Sequence, residues 1–380
     1  KLLRAIQASS GFENVDGLMY RENGKVIDNP QHSVGIENLD SNPFPDYSDY
    51  DMEKLMNWGA KYVHQFQYKQ FPVGVMMTSR GCPYRCTYCA AGKDLNPIND
   101  RKNVRTRSPE SILKEIDYMR ESFGMRELIM VDDSLLIPSE RAIGFMKGMA
   151  KQREQGSDLI WKSINLDIRH VNEEILDWMK ASGCYQLSFS LESGSKNTLK
   201  RMKRGYSMKK GIEMLKAMRK RGWEEICSNF IIGLPGDTWD DIRETFNFAD
   251  NLRRDGLLDY VLFSIATPLP GTELADTALA GGYLPDDFDP DEFYGFGKGM
   301  ITTEHFTPME LQVLRAYEWD RINFRSEEDK IRTARMLGIT LKELDVWRQE
   351  TRRETGVHVS SADTTDVEQE ENSKLVELAT

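Results

Sequence analysis

The sequence predicts an α/β fold made of six parallel β-α units, and three observations predict it. From Phe71 onward, short apolar runs alternate regularly with longer amphipathic ones. A helical stretch separates each strand from the next, which calls for parallel strands joined by right-handed crossovers. The alternation stops after Ala266, whereas a closed eight-fold barrel needs two further units. Together these give a partial (β/α)6 barrel of the TIM-like kind, preceded by an irregular N-terminal linker and followed by a helical C-terminal extension.

Residues 1–70 have weak periodicity. Leu2, Leu3 and Ile6 read as the last turns of a helix, and the opening at Lys1 without Met suggests that an upstream domain has been cut away. Asn23-Gly24 between two short alternating runs predicts a hairpin. The Asn42-Pro43-Phe44-Pro45-Asp46 stretch that follows reads as linker. The barrel then occupies 71–280. Its strands are expected at 73–78, 127–131, 159–166, 185–191, 226–232 and 260–266. Helices fill 108–123, 138–152, 172–181, most of 195–221, and 238–254. Ser108, Pro109 and Glu110 open the first helix as N-cap, first helical residue and first-turn acid. Residues 281–355 form the helical extension, and 356–380, rich in Ser, Thr, Asp and Glu, a disordered tail.

The net charge of −11 argues against a general nucleic-acid coat or an anionic membrane surface as partner. No apolar run approaches the roughly 18–20 residues that span a bilayer. A cytoplasmic setting follows from the cysteines. Three of the five, Cys82, Cys86 and Cys89, lie within eight residues, too close for ordinary bridging. Cys184 and Cys227 sit alone in strand-like segments and read as buried residues. Three thiolates in one loop can wrap three irons of a cubane, with one iron left open. A structural zinc site would want four closing ligands; the loop has no His, and His64 lies well upstream.

Chemistry in parallel barrels gathers at the carboxyl ends of strands, and each polar or glycine-rich motif falls at such an end. Strand one runs into the cysteine loop. The next ends carry Asp132-Asp133-Ser134, then Asn165 and Asp167, then Glu192-Ser193-Gly194. The last two carry Gly233-Leu234-Pro235-Gly236 and Pro268-Leu269-Pro270-Gly271-Thr272. Lys196 to Arg221 holds eleven Lys or Arg against one acid, Glu213, which reads first as the wet face of a helix and otherwise as a dock for an acidic domain or RNA. Arg105 and Arg107 suit either a surface or an anion contact, and His170 a structural role.

The C-x3-C-x2-C spacing, with Tyr88 before the last cysteine and a strand before the loop, resembles the signature of the radical S-adenosylmethionine (SAM) superfamily. The resemblance implies a [4Fe–4S] cluster on the catalytic Cys82, Cys86 and Cys89, with SAM chelating the open iron. It places Asp132 and Asp133 where the family receives the SAM amino group. Asp-Asp stands here in place of Gly-Gly-Glu, so backbone carbonyls would do that work. Glu192 is similar to the strand-four acid that bonds SAM amino or ribose groups, and a helix-capping role is the alternative. Ile231 and Gly233 look like the adenine-contacting strand, against a plain Gly-Pro turn. Tyr88 would touch adenine or simply pack.

Gly17-Leu18-Met19-Tyr20-Arg21, Asn38-Leu39-Asp40 and Pro43-Phe44-Pro45-Asp46-Tyr47, with the Glu192, Gly233 and Pro270 segments, extend the resemblance over residues 10–275 to the branch that carries a cobalamin-binding domain upstream, a domain this chain lacks. That branch implies cobalamin as a further cofactor, a small-molecule substrate, and a flavodoxin- or ferredoxin-type one-electron reductant. Its reactions are methyl transfer and radical rearrangement. An RNA-modifying methylthiotransferase and a non-enzymatic electron-transfer protein are the other readings.

Overall fold

The computed structural model describes residues 1–30, 36, 38–51, 54, 68–91, 104–289 and 297–353. The tail expected at 356–380 and the side chain of Asn165 lie outside the described residues. The chain divides into two compact units, Lys1–Asn42 and Pro43–Thr380. In the first, helix α1 (Leu2–Gln7) precedes the expected hairpin of β1 (Met19–Glu22) and β2 (Lys25–Asp28). Asn23 and Gly24 both adopt positive φ (47° and 78°), the conformation a two-residue hairpin turn demands. Buried Asn29 donates to the carbonyls of Phe12 (2.6 Å) and Val15 (2.9 Å) and so fixes the preceding loop.

The second unit is built on one six-stranded sheet, parallel throughout. In spatial order its strands are β10 (Tyr260–Ile265), β9 (Glu225–Ile232), β8 (Cys184–Glu192), β7 (Ile160–Leu166), β6 (Glu127–Met130) and β3 (Val73–Met76). Each strand therefore lies beside its predecessor among these six, as successive β-α units require. The sheet is open, as a partial barrel should be. Helices α2 (Pro109–Phe123), α3 (Ser139–Glu154), α4 (Glu173–Ala181), α5 (Lys196–Arg201), α6 (Met208–Lys220) and α7 (Trp239–Arg254) fill the crossovers. Ser108 caps α2 by accepting from the Ser111 amide, and Thr238 and Asp241 form a capping box on α7. Between sheet and helices lies a core of apolar side chains, among them Ile112, Ile116, Leu128, Met130, Phe145 and Trp161.

Three features differ from the sequence reading. Ser79–Arg80 (β4) pairs antiparallel with Arg105–Thr106 (β5), a pairing too short and too distant in sequence to leave a periodicity. Helical sequence fills most of 195–221 as expected, but it is broken at Lys203, left-handed at φ 53°, a break that the periodicity does not mark. In the extension, the first helix among the described residues is α9 (Pro308–Asn323), followed by α10 (Glu327–Leu337) and α11 (Leu341–Arg353); α8 (Glu273–Ala280) still belongs to the barrel segment. Among the described residues no helix is long and apolar enough to cross a membrane.

The extension does one job for the barrel directly. Strand β10 is an edge, whose unpaired backbone invites foreign pairing. Buried Asn323 of α9 answers it as a strand's peptide would, accepting from the Val261 amide and donating to the Val261 carbonyl, both at 2.9 Å. Trp319, one turn earlier, donates to the Tyr260 hydroxyl at 2.9 Å.

Candidate active site

Leaving β3 and β4, the chain enters the cysteine loop through Gly81, whose φ of 98° closes the turn without a Cβ clash. The loop is held from outside itself. The Thr87 amide donates to the Met202 carbonyl (3.2 Å) just past α5, and the Thr87 carbonyl accepts from the Leu274 amide (2.9 Å) at the start of α8. Cys82, Cys86 and Cys89 are unpaired and half-buried. Burial pushes the Cys82 thiol up, and the Cys89 thiol up to about 11. Such thiols ionise readily only when a cation takes their charge.

Glu192, at the carboxyl end of β8, is the best-placed of the expected cofactor residues. It is a buried non-glycine at φ 67°, beside a register shift in the β8–β9 ladder. Such a conformation costs about 1–3 kcal/mol and persists only where neighbours impose it. One neighbour is Tyr88, whose hydroxyl donates to Glu192 Oε1 at 2.7 Å. Burial pushes the Glu192 carboxyl up, opposed by the Arg204 charge and the Tyr88 hydrogen bond. The Tyr88 hydroxyl is driven well above its usual value, by burial first and Glu192 second. Tyr88 thus ties the cysteine loop to strand-four acid, a role beyond packing or adenine contact.

Arg204 was not singled out from sequence, yet it lies at the centre. It is 7% exposed. Its Nη2 donates to the Ser190 carbonyl at 2.7 Å, and Nη1 reaches Cys86 Sγ at 3.9 Å and Asp167 Oδ2 at 3.7 Å. Nε stands 3.8 Å from Glu192 Oε1. Asp167, at the end of β7, is gripped by Arg169 (Nε to Oδ1 2.9 Å, to Oδ2 3.0 Å). Burial raises the Asp167 carboxyl, but the Arg169 hydrogen bonds, with the Arg204 and Arg169 charges, outweigh it and hold it below its ordinary value. Arg169 in turn covers the Tyr84 ring at 3.3 Å, and the Tyr84 hydroxyl meets His170 Nε2 at 2.5 Å. That contact ties His170 to the cysteine loop through Tyr84.

Asp132 points elsewhere. Its Oδ1 accepts from the Thr78 amide (2.9 Å), the Thr78 hydroxyl (2.7 Å) and the Ser79 hydroxyl (2.6 Å). The carboxylate therefore joins the ends of β3 and β6, with Arg141 donating to the Thr78 hydroxyl at 2.7 Å from behind. Asp133 is exposed. Ile231 is half-buried on β9, and Gly233 follows it at φ 82°. A Cβ on Gly233 would meet Leu311 Cδ1 of α9 at 2.4 Å, so a side chain there would have to displace the end of that leucine. Arg107 pairs with buried Glu115 on α2, a structural use, and Cys184 and Cys227 are buried in their strands as expected. Of the basic run, Arg201 bridges Asp237 (3.0 Å) and Arg219 bridges Asp259 (2.6 Å), while Lys196, Lys200, Lys209, Lys210, Lys216 and Lys220 are exposed.

The donor chemistry suits an iron–sulfur centre: three soft sulfur ligands in one anchored loop. Among the described residues no group of three or more His, Cys, Asp or Glu converges on a single ion. A polynuclear centre asks for no such convergence, because each thiolate takes its own iron.

Comparison with known proteins relates the chain to a family and a fold. The family model described as Radical SAM superfamily matches residues 76–249. The chain is 31% identical over 284 residues to an uncharacterised methyltransferase, PH0819, of Pyrococcus horikoshii, covering 75% of this chain and 56% of that protein. It is 28% identical over 284 residues to the cytidylyl-2-hydroxyethylphosphonate methyltransferase of Streptomyces wedmorensis, covering 71% and 48%. The chain thus spans about half the length of these curated relatives. Among solved structures, the fold is similar to that of OxsB, a cobalamin-dependent SAM radical enzyme with aqua-cobalamin and SAM bound. The TM-score is 0.62 at 17% identity, over 99% of this chain and 57% of that one.

Proposed function

This chain belongs to the radical SAM superfamily, and from that premise we propose that it holds a [4Fe–4S] cluster on Cys82, Cys86 and Cys89 and cleaves SAM reductively. The observation that carries the proposal is the Tyr88–Glu192 hydrogen bond of 2.7 Å, which couples the thiol loop on strand one to the acid on strand four. When bound, the cluster supplies the electron that splits SAM into methionine and a 5′-deoxyadenosyl radical.

The chain's own residues bind and orient. Glu192, already polarised by the Tyr88 hydroxyl, presents its remaining carboxylate capacity to amino or ribose donors. Ile231 and the backbone at Gly233 offer an apolar rim for an adenine ring. Backbone carbonyls at Asp132 and Asp133 would receive the amino group, since the Asp132 carboxylate is engaged with Thr78 and Ser79. Partly exposed Val75 (51%) and Ile164 (37%) on the strands suit an organic substrate with apolar surface.

The relatives named as methyltransferases favour methyl transfer, with cobalamin supplied by another part of the protein and a small one-electron carrier as reductant. The assigning experiment measures 5′-deoxyadenosine formed from SAM by the anaerobically reconstituted, reduced chain, beside Cys86→Ala. Product that vanishes in the variant is expected. A fully assembled cluster that yields no product contradicts the proposal.

A further inference from the structure

Resting on that reading, we infer that Arg204 is a positioning residue that sets the cluster's reduction potential, donating to the Cys86 sulfur while standing between it and two carboxylates. The local chain explains how an arginine reaches so deep. Helix α5 ends at Arg201, Lys203 turns left-handed at φ 53°, and the Arg204 amide returns to the Leu199 carbonyl at 2.9 Å. This is a helix-ending motif in which glycine is usual at the left-handed position, and here it swings the next side chain inward. The Ser190 carbonyl (2.7 Å) holds one end of the guanidinium. The other end faces Cys86 Sγ (3.9 Å) and Asp167 (3.7 Å). The Nε–H is buried and makes no hydrogen bond among the described residues, 3.8 Å from Glu192.

A reduced cluster carries one more negative charge than an oxidised one. A buried cation with an N–H aimed at a ligand sulfur stabilises that extra charge and raises the potential. Asp167 and Glu192 would act in the opposite direction, and Arg204 compensates both. One residue therefore links the group expected to touch SAM with the sulfur that holds an iron.

The test is an EPR-monitored potentiometric titration of the reconstituted chain without SAM, for wild type, R204Q, R204K and E192Q, each with iron and labile sulfide counted. In R204Q the equilibrium constant for one-electron reduction should fall at least tenfold, ~59 mV for one electron. R204K, which keeps the charge but not the fork, should fall less. E192Q, which removes a negative charge, should rise or stay. R204Q within about twofold of wild type at full cluster content overturns the inference. Should R204Q fail to assemble a cluster, electron–nuclear double resonance decides on the wild type. With arginine guanidinium nitrogens labelled as nitrogen-15, coupling to the reduced cluster is expected, and its absence overturns the inference. Wild type that assembles a cluster and cleaves SAM while R204Q is unshifted leaves the proposed function standing and removes only this role.

Discussion

At the scale of single residues, two buried acids expected to serve the same cofactor are put to different uses. Asp132 spends its Oδ1 on three donors from Thr78 and Ser79, whereas Glu192 gives one oxygen to Tyr88 and faces Arg204. Asp132→Ala should therefore cost stability, about 2 kcal/mol or more for the buried donors it strands, read by urea unfolding. Glu192→Gln should change stability less and weaken SAM binding about tenfold, the worth of one charge-assisted hydrogen bond, read by equilibrium dialysis on cluster-loaded protein. The reverse pattern would exchange the two assignments. Residue types and spacing announced the three thiols and the strand-end acids, because a motif is local. They did not separate Asp132 from Glu192, since which way a carboxylate turns is decided by partners on another strand. Arg204 was hidden for a related reason: in a run of eleven basic residues it looks like its exposed neighbours, and only the left-handed turn at Lys203 sends it inward.

Secondary elements were the most legible level. Alternating apolar runs marked all six strands of the sheet, and Ser108, Asn172 and Thr238 cap helices where side-chain chemistry calls for caps. The β4–β5 pair escaped because its register joins residues on opposite sides of the cysteine loop. The closing of the β10 edge by Asn323 escaped as well, because an amide in an amphipathic helix carries no sign of the strand it will pair with. Asn323→Ala leaves the Val261 amide and carbonyl buried without partners, and roughly 2 kcal/mol or more of stability should go with it. Asn323→Asp keeps an acceptor for the amide and loses the donor, so it should also destabilise. Urea midpoints for either variant within experimental error of wild type would show that the edge is held by packing alone.

On the scale of the whole molecule, the two ends of the sheet carry different chemistry. The carboxyl ends gather thiols, Glu192 and Arg204. Toward the amino ends, Lys162, 2% exposed, faces Glu127 at 3.8 Å. Glu127 also accepts from the Tyr185 hydroxyl (2.5 Å) and the Lys69 and Gln70 amides (2.6 and 2.9 Å). Burial pushes the Lys162 ammonium down to about 8, with Glu127 and Glu225 opposing. A lysine with a lowered folded value binds its proton more weakly folded than unfolded. Between about pH 8 and its unfolded value near 10.4 the unfolded chain holds more protons, so stability rises with pH there. Below about pH 8 that gain, at most roughly 3 kcal/mol, is absent. Lys162→Met should remove the rise over pH 8–9.5, and Glu127 keeps its three other donors in the variant. A rise that survives the substitution would assign it to another group.

The central claim is that the three thiols hold a cluster with one iron open to SAM. Its most direct test is the EPR spectrum of the reduced, reconstituted chain recorded with and without SAM. A [4Fe–4S] signal whose g-values change on adding SAM is the predicted result. A cluster signal that SAM leaves unaltered, at concentrations saturating for SAM-binding enzymes, would contradict it.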